Sequence, residues 1–228
     1  IAALVFVLLL ALGAGLLVRF DAEQQRRQRE AAAQLASERA QVVQRNVERM
    51  LASNHALAAL VHQGNGQVIH FEAAAGQLLD SSLRVQALSL SPDGVVRHVF
   101  PSAGNESLIG FDQLRDPGQQ REAMFARDTD RLTLAGPLQL AQGGPGVVSR
   151  LPIFLPDADG QRRFWGFSNV TIRLPDLLGG VGLDGLRRRG YHYRLWRVLP
   201  DSGAQQIISA SQSEPLVEPV RQSLEVPN

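Results

Sequence analysis

The first eighteen residues of this 228-residue chain carry no charged side chain. At about 1.5 Å per residue, a helix of this length spans roughly 27 Å, close to the hydrocarbon thickness of a bilayer. The alternative is a signal peptide, but the apolar stretch leads directly to Arg19 and Phe20 instead of a small-residue cleavage site. Residues 1–18 are therefore predicted to form a transmembrane helix.

Composition narrows the chemistry that the rest of the chain can perform. The absence of cysteine excludes disulfides, thiolate catalysis and cysteine-liganded metal sites. All 23 basic residues are arginine, and they are interspersed with 22 acidic residues for a net charge of +1. The basic stripe typical of nucleic-acid-binding proteins is missing, so no nucleic-acid partner is expected.

The sequence contains no convincing set of catalytic residues or metal ligands. His55 and His62 are seven residues apart, which is too far for the i, i+4 pair that holds zinc on a helix. Asp157 and Asp159 resemble the start of a calcium loop, but the glutamate expected further along is missing, so this segment is interpreted as a turn. We expect neither enzymatic activity, nor a metal, nor a cofactor in this part of the protein.

Residues 19–62 are predicted to form a long stalk helix. This segment contains neither proline nor glycine and is rich in Ala, Gln, Glu and Arg, which are all compatible with a continuous helix. Its apolar positions recur at steps of three and four, the spacing at which helices wind around each other. The predicted seam of a homodimer contains Val43, Val47, Met50, Asn54 and Leu57.

Asn54 is the polar position in this seam. A single buried amide can set the register of two paired helices, because only the matched pairing satisfies its hydrogen bonds. The alternative is that the seam packs against the globular part of the same chain. The alanine-rich first half of the seam favours pairing, since alanine makes a weak core contact but allows two helices to approach closely.

Beyond residue 63, apolar strands alternate with turns built from Pro, Asp and Gly. Three hairpins are predicted: 85–90 with 95–100, 147–155 with 164–172, and 191–199 with 206–210. A helix is predicted at 116–128, with Asp116 as its cap and Pro117 at its first position. Antiparallel sheet with intervening helices indicates the α+β fold class.

A set of short motifs follows in a defined order through the middle of the chain. They occupy residues 104–112, 126–129, 134–138, 142–144, 150–154 and 164–167. In this order they resemble the CHASE domain, the extracytoplasmic sensory module of bacterial and plant membrane receptors. The resemblance covers roughly residues 57–178.

The resemblance implies a long amino-terminal helix that pairs with its copy, followed by two tandem PAS-like units. The membrane-distal, ligand-binding unit would be residues 63–178, and the membrane-proximal unit would be residues 179–228, incomplete at its carboxyl end. The family places this module, from about residue 19 onward, in the periplasm or extracellular space. Residues 1–18 would anchor it in the cell membrane. A histidine kinase or diguanylate cyclase is the implied output domain inside the cell.

The resemblance also implies a small-molecule ligand and a set of ligand-binding residues. Plant members bind adenine-type cytokinins, and a carboxylate at the position resembling Asp112 accepts hydrogen bonds from the purine. Backbone near the strand resembling Leu134 and Ala135 completes the recognition. Plant receptors have Thr-Ser where this chain has Ala135-Gly136, so the side-chain hydroxyls are lost here.

Two aromatic residues, Phe154 and Phe167, are further candidates for the pocket lining. For each candidate a structural alternative stays open: Asp112 as a turn or cap carboxylate, and the aromatic residues as core. The corresponding alternative for the whole chain is a ligand-free dimerisation or spacer module, or a module that senses a protein. A cavity beside Asp112 favours ligand binding, whereas a pocket filled by Phe154 and Phe167 favours the spacer.

Overall fold

The computed structural model describes residues 2–79, 85–199 and 202–226, without the side chains of residues 2–12, 14, 15 and 18. The chain begins with one continuous helix, α1 (Ala2–Gln63), which is about 93 Å long at the α-helical rise. The predicted stalk helix is therefore confirmed. It ends at a glycine-rich turn in which the N–H of Gly66, at a φ of 88°, donates to the carbonyl of Val61 at 2.9 Å.

The transmembrane helix predicted for residues 1–18 is not confirmed. Within the described ranges, no helix is both long and apolar enough to cross a membrane. Residue 1 and most side chains of the predicted span lie outside the described set.

The carboxyl-terminal half of α1 lies against a five-stranded antiparallel sheet with the strand order β2–β1–β5–β4–β3. The strands are β1 (Val85–Pro92), β2 (His98–Phe100), β3 (Thr133–Gln139), β4 (Pro145–Pro156) and β5 (Arg162–Arg173). Two predicted hairpins, β1–β2 and β4–β5, are confirmed. The hairpin pattern did not include β3, whose Pro137 lacks an N–H and is tolerated because β3 is an edge strand.

Short helices connect the strands, and a second, smaller sheet follows them. The helices are α2 (Phe71–Leu78), α3 (Gln120–Thr129), α4 (Leu174–Leu177) and α5 (Leu183–Arg188). The small sheet pairs β6 (Arg194–Val198) with β7 (Gln205–Ala210), which confirms the third predicted hairpin. The α+β class is confirmed, with a long amino-terminal helix and antiparallel sheet, whereas the PAS-like character of two separate units stays a prediction.

Helix α3 begins three residues later than the sequence predicted. Its amino-terminal flanking residue is Gln119, not Asp116. The Asp116 carboxylate instead accepts the N–H of Gly118 at 3.0 Å and so closes a turn before the helix. Capping and turn formation use the same short-range hydrogen bond, so the sequence did not distinguish between them.

The face of the sheet that contacts α1, here called the helix face, contains the main hydrophobic core. Strand residues alternate between the two faces, and this face receives Leu88, Leu90, Val170 and Ile172. They pack in one cluster with the apolar stripe of α1 and with Phe71 of α2. Burial of this stripe explains why the helix is stable as part of the domain.

The structure corrects the role predicted for the dimer seam. Met50, Asn54 and Leu57 have no exposed surface, Val47 is 4% exposed, and the half-buried Val43 packs against the same core. All five residues are therefore buried or half-buried within the chain's own globular part, which was the alternative interpretation. The three-and-four spacing requires an apolar partner surface, and the sheet supplies it within the same chain.

Candidate functional site

The opposite face of the sheet, here called the far face, carries a row of polar residues. Thr133 on β3 pairs with Arg150 on β4, Arg150 pairs with Asn169 on β5, and Asn169 pairs with Ser89 on β1. Residues in register on adjacent antiparallel strands have Cβ atoms about 5 Å apart. Each of the four residues is at most 4% exposed. Thr133, Arg150, Asn169 and Ser89 form what we call the polar row.

Arg150 is a fully buried cation at the centre of this row. Its Nε donates to Oε1 of Gln113 at 2.6 Å, and its Nη2 donates to Oε1 of Gln119 at 2.8 Å. Its guanidinium carbon lies 5.7 Å from the ring centre of Phe167, within range of a cation–π interaction. Both hydrogen-bond acceptors are neutral amides, and none of the ion pairs between described residues includes Arg150.

Burial lowers the pKa of Arg150 well below its usual range, to about 10, while the negative charge of Glu122 opposes this shift. At neutral pH the guanidinium therefore stays protonated. A lowered pKa in the folded state means that folding disfavours the charged form, here by roughly 3 kcal/mol. The fold thus holds a positive charge that its neutral neighbours compensate only in part.

Three side-chain atoms of the polar row have no hydrogen-bond partner among the described residues. They are Nη1 of Arg150, Oγ1 of Thr133 and Oδ1 of Asn169, three of the five such buried atoms in the described ranges. The other end of the Asn169 amide is satisfied, since Nδ2 donates to Oγ of Ser91 at 2.9 Å. Buried polar groups are nearly always paired, and an unpaired one costs about 1–3 kcal/mol. The row therefore offers a donor, a hydroxyl and an acceptor on one face.

A small cavity lies over the far face. Its volume is about 20 Å³, which is room for about one water molecule. The walls include Asn169 and Ser89 of the polar row, Gln113 and Gln119, and the ring of Phe111. Both hydrogen-bond partners of Arg150 thus line the cavity, whereas Arg150 itself does not. Anything larger than water requires at least one of these glutamines to move.

The structure places Asp112 beside this cavity but not in its wall. The neighbouring residues Phe111 and Gln113 line the cavity, whereas Oδ1 of Asp112 accepts the N–H of Leu114 at 3.0 Å. Its Oδ2 lies 3.5 Å from Nε of the exposed Arg115, an ion pair of little energetic value. These contacts match the turn-capping alternative for Asp112.

We expect Asp112→Ala to lower the free energy of unfolding by about 1 kcal/mol, because the Leu114 N–H loses its acceptor. Asp112→Asn keeps an oxygen at the same place and should stay within about 0.5 kcal/mol of the parent protein. Urea denaturation of both variants measures the two values. An unchanged stability of Asp112→Ala would contradict the capping role and return Asp112 to the ligand-binding candidates.

The remaining four predicted ligand residues are spread over the domain. Ala135 is fully buried on β3, and Leu134 packs against the helix-face core while its carbonyl accepts a hydrogen bond from Nη1 of Arg197 at 3.3 Å. Phe167 has no exposed surface, and half-buried Phe154 packs edge-on to another ring. None of the four lines the cavity over the far face.

Phe167 contacts Ala123 and Ala126 of α3, and its ring centre lies 4.9 Å from that of Phe164. These contacts match the core alternative for the aromatic candidates. Whether any predicted residue meets a ligand stays a prediction.

The residues that the structure brings together at the cavity were not selected from the sequence. A signal was present: Arg150 is the charged residue of β4, and Asn169 is the amide residue of β5. A charged or amide side chain inside a buried strand requires a partner within the protein or in a ligand. Gln113 and Gln119 lie in loop sequence, where a polar residue among other polar residues gives no comparable signal.

The helix-backed antiparallel sheet, with its small cavity and buried polar row, defines an α+β domain, and the sequence comparisons name its family. The family model described as CHASE domain matches residues 22–207. The chain belongs to the CHASE domain family. Its members are extracytoplasmic, non-catalytic sensory modules, so this part of the protein is a sensory domain.

Among solved structures, the chain is similar to an extracellular ligand binding receptor from Desulfohalobium retbaense DSM5692. The identity is 18% and the TM-score 0.59, over 78% of this chain and 31% of that receptor. At this identity the similarity shows a shared fold. The chain thus corresponds to about a third of the receptor's length. A comparison with curated proteins finds no match.

Proposed function

We propose that this domain is the ligand-sensing region of a membrane signalling receptor, and that it binds a small molecule in the cavity over the far face. The buried polar row carries this proposal, because three of its atoms lack partners and one of them, Oδ1 of Asn169, belongs to a residue of the cavity wall. Membership in a sensory family supports the same function. An adenine-like compound is one candidate ligand, by resemblance to the plant members.

Helix α3 connects the cavity wall to the small second sheet. Gln119, in the cavity wall, directly precedes α3. Glu122 in the first turn of α3 accepts a hydrogen bond from Nη2 of Arg197 on β6 at 3.3 Å. A ligand that displaces Gln119 would therefore shift α3 against β6. The size of such a shift is limited by the difference in ligand affinity between the two states.

The remainder of the proposed receptor rests on the sequence. Residues 1–18 would anchor it in the cell membrane, and a histidine kinase or diguanylate cyclase would supply the output. Residues 63–178 and 179–228 would be the distal and proximal units. Homodimer pairing is also part of the proposal, but through surfaces other than the seam, because the seam residues are buried against the sheet.

A thermal-shift screen of the full chain in detergent solution tests ligand binding. The library should contain small metabolites, including adenine-type cytokinins and organic acids. A ligand that binds only the folded state raises stability as RT ln(1 + [L]/Kd), so we expect a concentration-dependent rise in melting temperature. The control is Asp112→Asn, which lies outside the cavity wall and should respond equally.

The second candidate function is a ligand-free spacer or a protein-sensing module. The cavity volume of about 20 Å³ and the complete burial of Phe167 favour it. In that case, no library compound changes the melting temperature. An unchanged response across all concentrations would count against the small-molecule receptor.

A further inference from the structure

The proposed function leaves the chemical class of the ligand open, and the polar row narrows it. We propose that the row binds a small hydroxy acid: Arg150 and Thr133 hold the carboxylate, and Oδ1 of Asn169 accepts a hydrogen bond from the hydroxyl. This assignment rests on the proposed function, because it uses the same cavity, extended toward Arg150 and Thr133, which lie outside its present wall. It adds the charge and the hydrogen-bonding pattern of the ligand.

The carboxylate follows from the state of Arg150. This guanidinium is fully buried, has an unpaired Nη1, and is hydrogen-bonded to neutral amide oxygens alone. A carboxylate oxygen accepts a charge-assisted hydrogen bond, which is roughly twice as strong as the bond to an amide. A bound carboxylate would also neutralise the buried cation. The hydroxyl of Thr133, one strand away and also unpaired, can donate to the same group.

Gln119 is the partner that a ligand can replace. It is half-buried, lies in the cavity wall, and stands between a loop and α3, whereas Gln113 is 4% exposed and also donates to Ser91 at 2.8 Å. When the Gln119 amide turns toward solvent, it frees both Nη2 of Arg150 and the space that its side chain occupies. The exchange is favourable because a charged acceptor replaces a neutral one.

The hydroxyl follows from the other end of the row. Oδ1 of Asn169 accepts only, so the ligand must present a donor there. An ammonium group would bring a second positive charge next to Arg150. The nearest acidic influence on Arg150 is Glu122, and that carboxylate is already paired with Arg197. A hydroxyl donates without adding charge. The small cavity favours an acid of few carbon atoms.

Four small molecules of nearly equal size separate these features. Glycolate has both groups, acetate lacks the hydroxyl, glycolamide lacks the charge, and glycine carries an ammonium in place of the hydroxyl. Dissociation constants for the full chain in detergent solution can be measured by NMR titration. We expect glycolate to bind about tenfold more tightly than acetate, since a net hydrogen bond contributes about one factor of ten. Glycolamide and glycine should bind more weakly still.

Two isosteric variants test the residues without removing a large side chain. Thr133→Val replaces the hydroxyl by a methyl group and should weaken glycolate about tenfold. Asn169→Asp places a carboxylate at the same position and should reverse the preference, so that glycine binds more tightly than glycolate. Arg150→Lys keeps the charge but loses the planar fork, and should weaken every carboxylate. Asp112→Asn is the control and should leave all four constants unchanged.

The outcomes separate this inference from the proposed function. Equal affinities of glycolate, acetate and glycolamide, or an Asn169→Asp variant without altered preference, would overturn the hydroxy-acid assignment. The assignment would also be overturned if glycolate did not bind at concentrations up to roughly 50 mM, because a charge-assisted site should have a dissociation constant well below this concentration. If a neutral library compound then raises the melting temperature and Thr133→Val abolishes that rise, the cavity is a receptor site for another class. If no compound binds, the row holds ordered water and both proposals fail.

Discussion

Asn54→Ala is expected to lower the free energy of unfolding by about 3 kcal/mol, by the same amount at every protein concentration. Asn54 has no exposed surface, and its Nδ2 donates to Oγ of Ser149 on β4. On β5, Oγ of Ser168 donates to the backbone carbonyl of Asn54 at 3.0 Å. Removing the amide orphans the Ser149 hydroxyl and leaves a cavity between α1 and the sheet.

The concentration dependence decides between the two roles of Asn54. If Asn54 set the register of a helix dimer, the stability lost on replacing it would vary with protein concentration, because assembly is bimolecular. Chemical denaturation at several concentrations measures this directly. The matched control is Gln44→Ala, since Gln44 is exposed on the same helix and should change stability by less than about 0.5 kcal/mol. A stability difference between Asn54→Ala and the parent protein that changes with protein concentration would restore the dimer seam.

Phe167→Ala is expected to lower the free energy of unfolding by about 4 kcal/mol. The Phe167 ring is completely buried between β5 and α3, where it contacts Ala123 and Ala126 and lies below the guanidinium of Arg150. Its removal creates a cavity and also takes away the aromatic face next to a buried charge. Both effects act on the folded state.

Phe154→Ala is the matched control for this prediction. Phe154 is half-buried, and its ring is 5.5 Å from that of Phe164 and 4.4 Å from the guanidinium carbon of Arg162. Because the ring keeps part of its exposure, we expect a loss of only about 1–2 kcal/mol. Urea denaturation of both variants gives the comparison. If Phe167→Ala lowers the free energy of unfolding by less than Phe154→Ala does, then Phe167 lines a deformable pocket and is not part of the core.

The elements that could be predicted are those with local signals. The stalk helix has no Gly or Pro between residues 19 and 62, and each of the three hairpins contains a Pro/Asp/Gly turn between apolar runs. The register of α3 was missed because Asp116 has two local hydrogen-bonding options, and the loop geometry selects the turn. The family resemblance also followed from motif order, and the family match over residues 22–207 confirms it.

The candidate site could be predicted only in part, because it depends on strand register. Thr133, Arg150 and Asn169 are separated by 17 and 19 residues in sequence, yet they are direct neighbours across three strands. The motif comparison directed attention to Asp112. Its carboxylate caps a turn by accepting the N–H of Leu114, and its two chain neighbours line the cavity. Sequence spacing does not encode which of two adjacent residues faces inward unless the register is known.

The sequence by itself determined the long helix, the three hairpins, the α+β class and the exclusion of cysteine chemistry, because these follow from local periodicity, turn residues and composition. The tertiary structure decided two further features. It assigned the apolar stripe of α1 to the chain's own sheet, since an apolar stripe specifies only that a partner surface exists. It also aligned three unpaired polar groups on one face of the sheet, because the pairing of β3, β4 and β5 sets their neighbours.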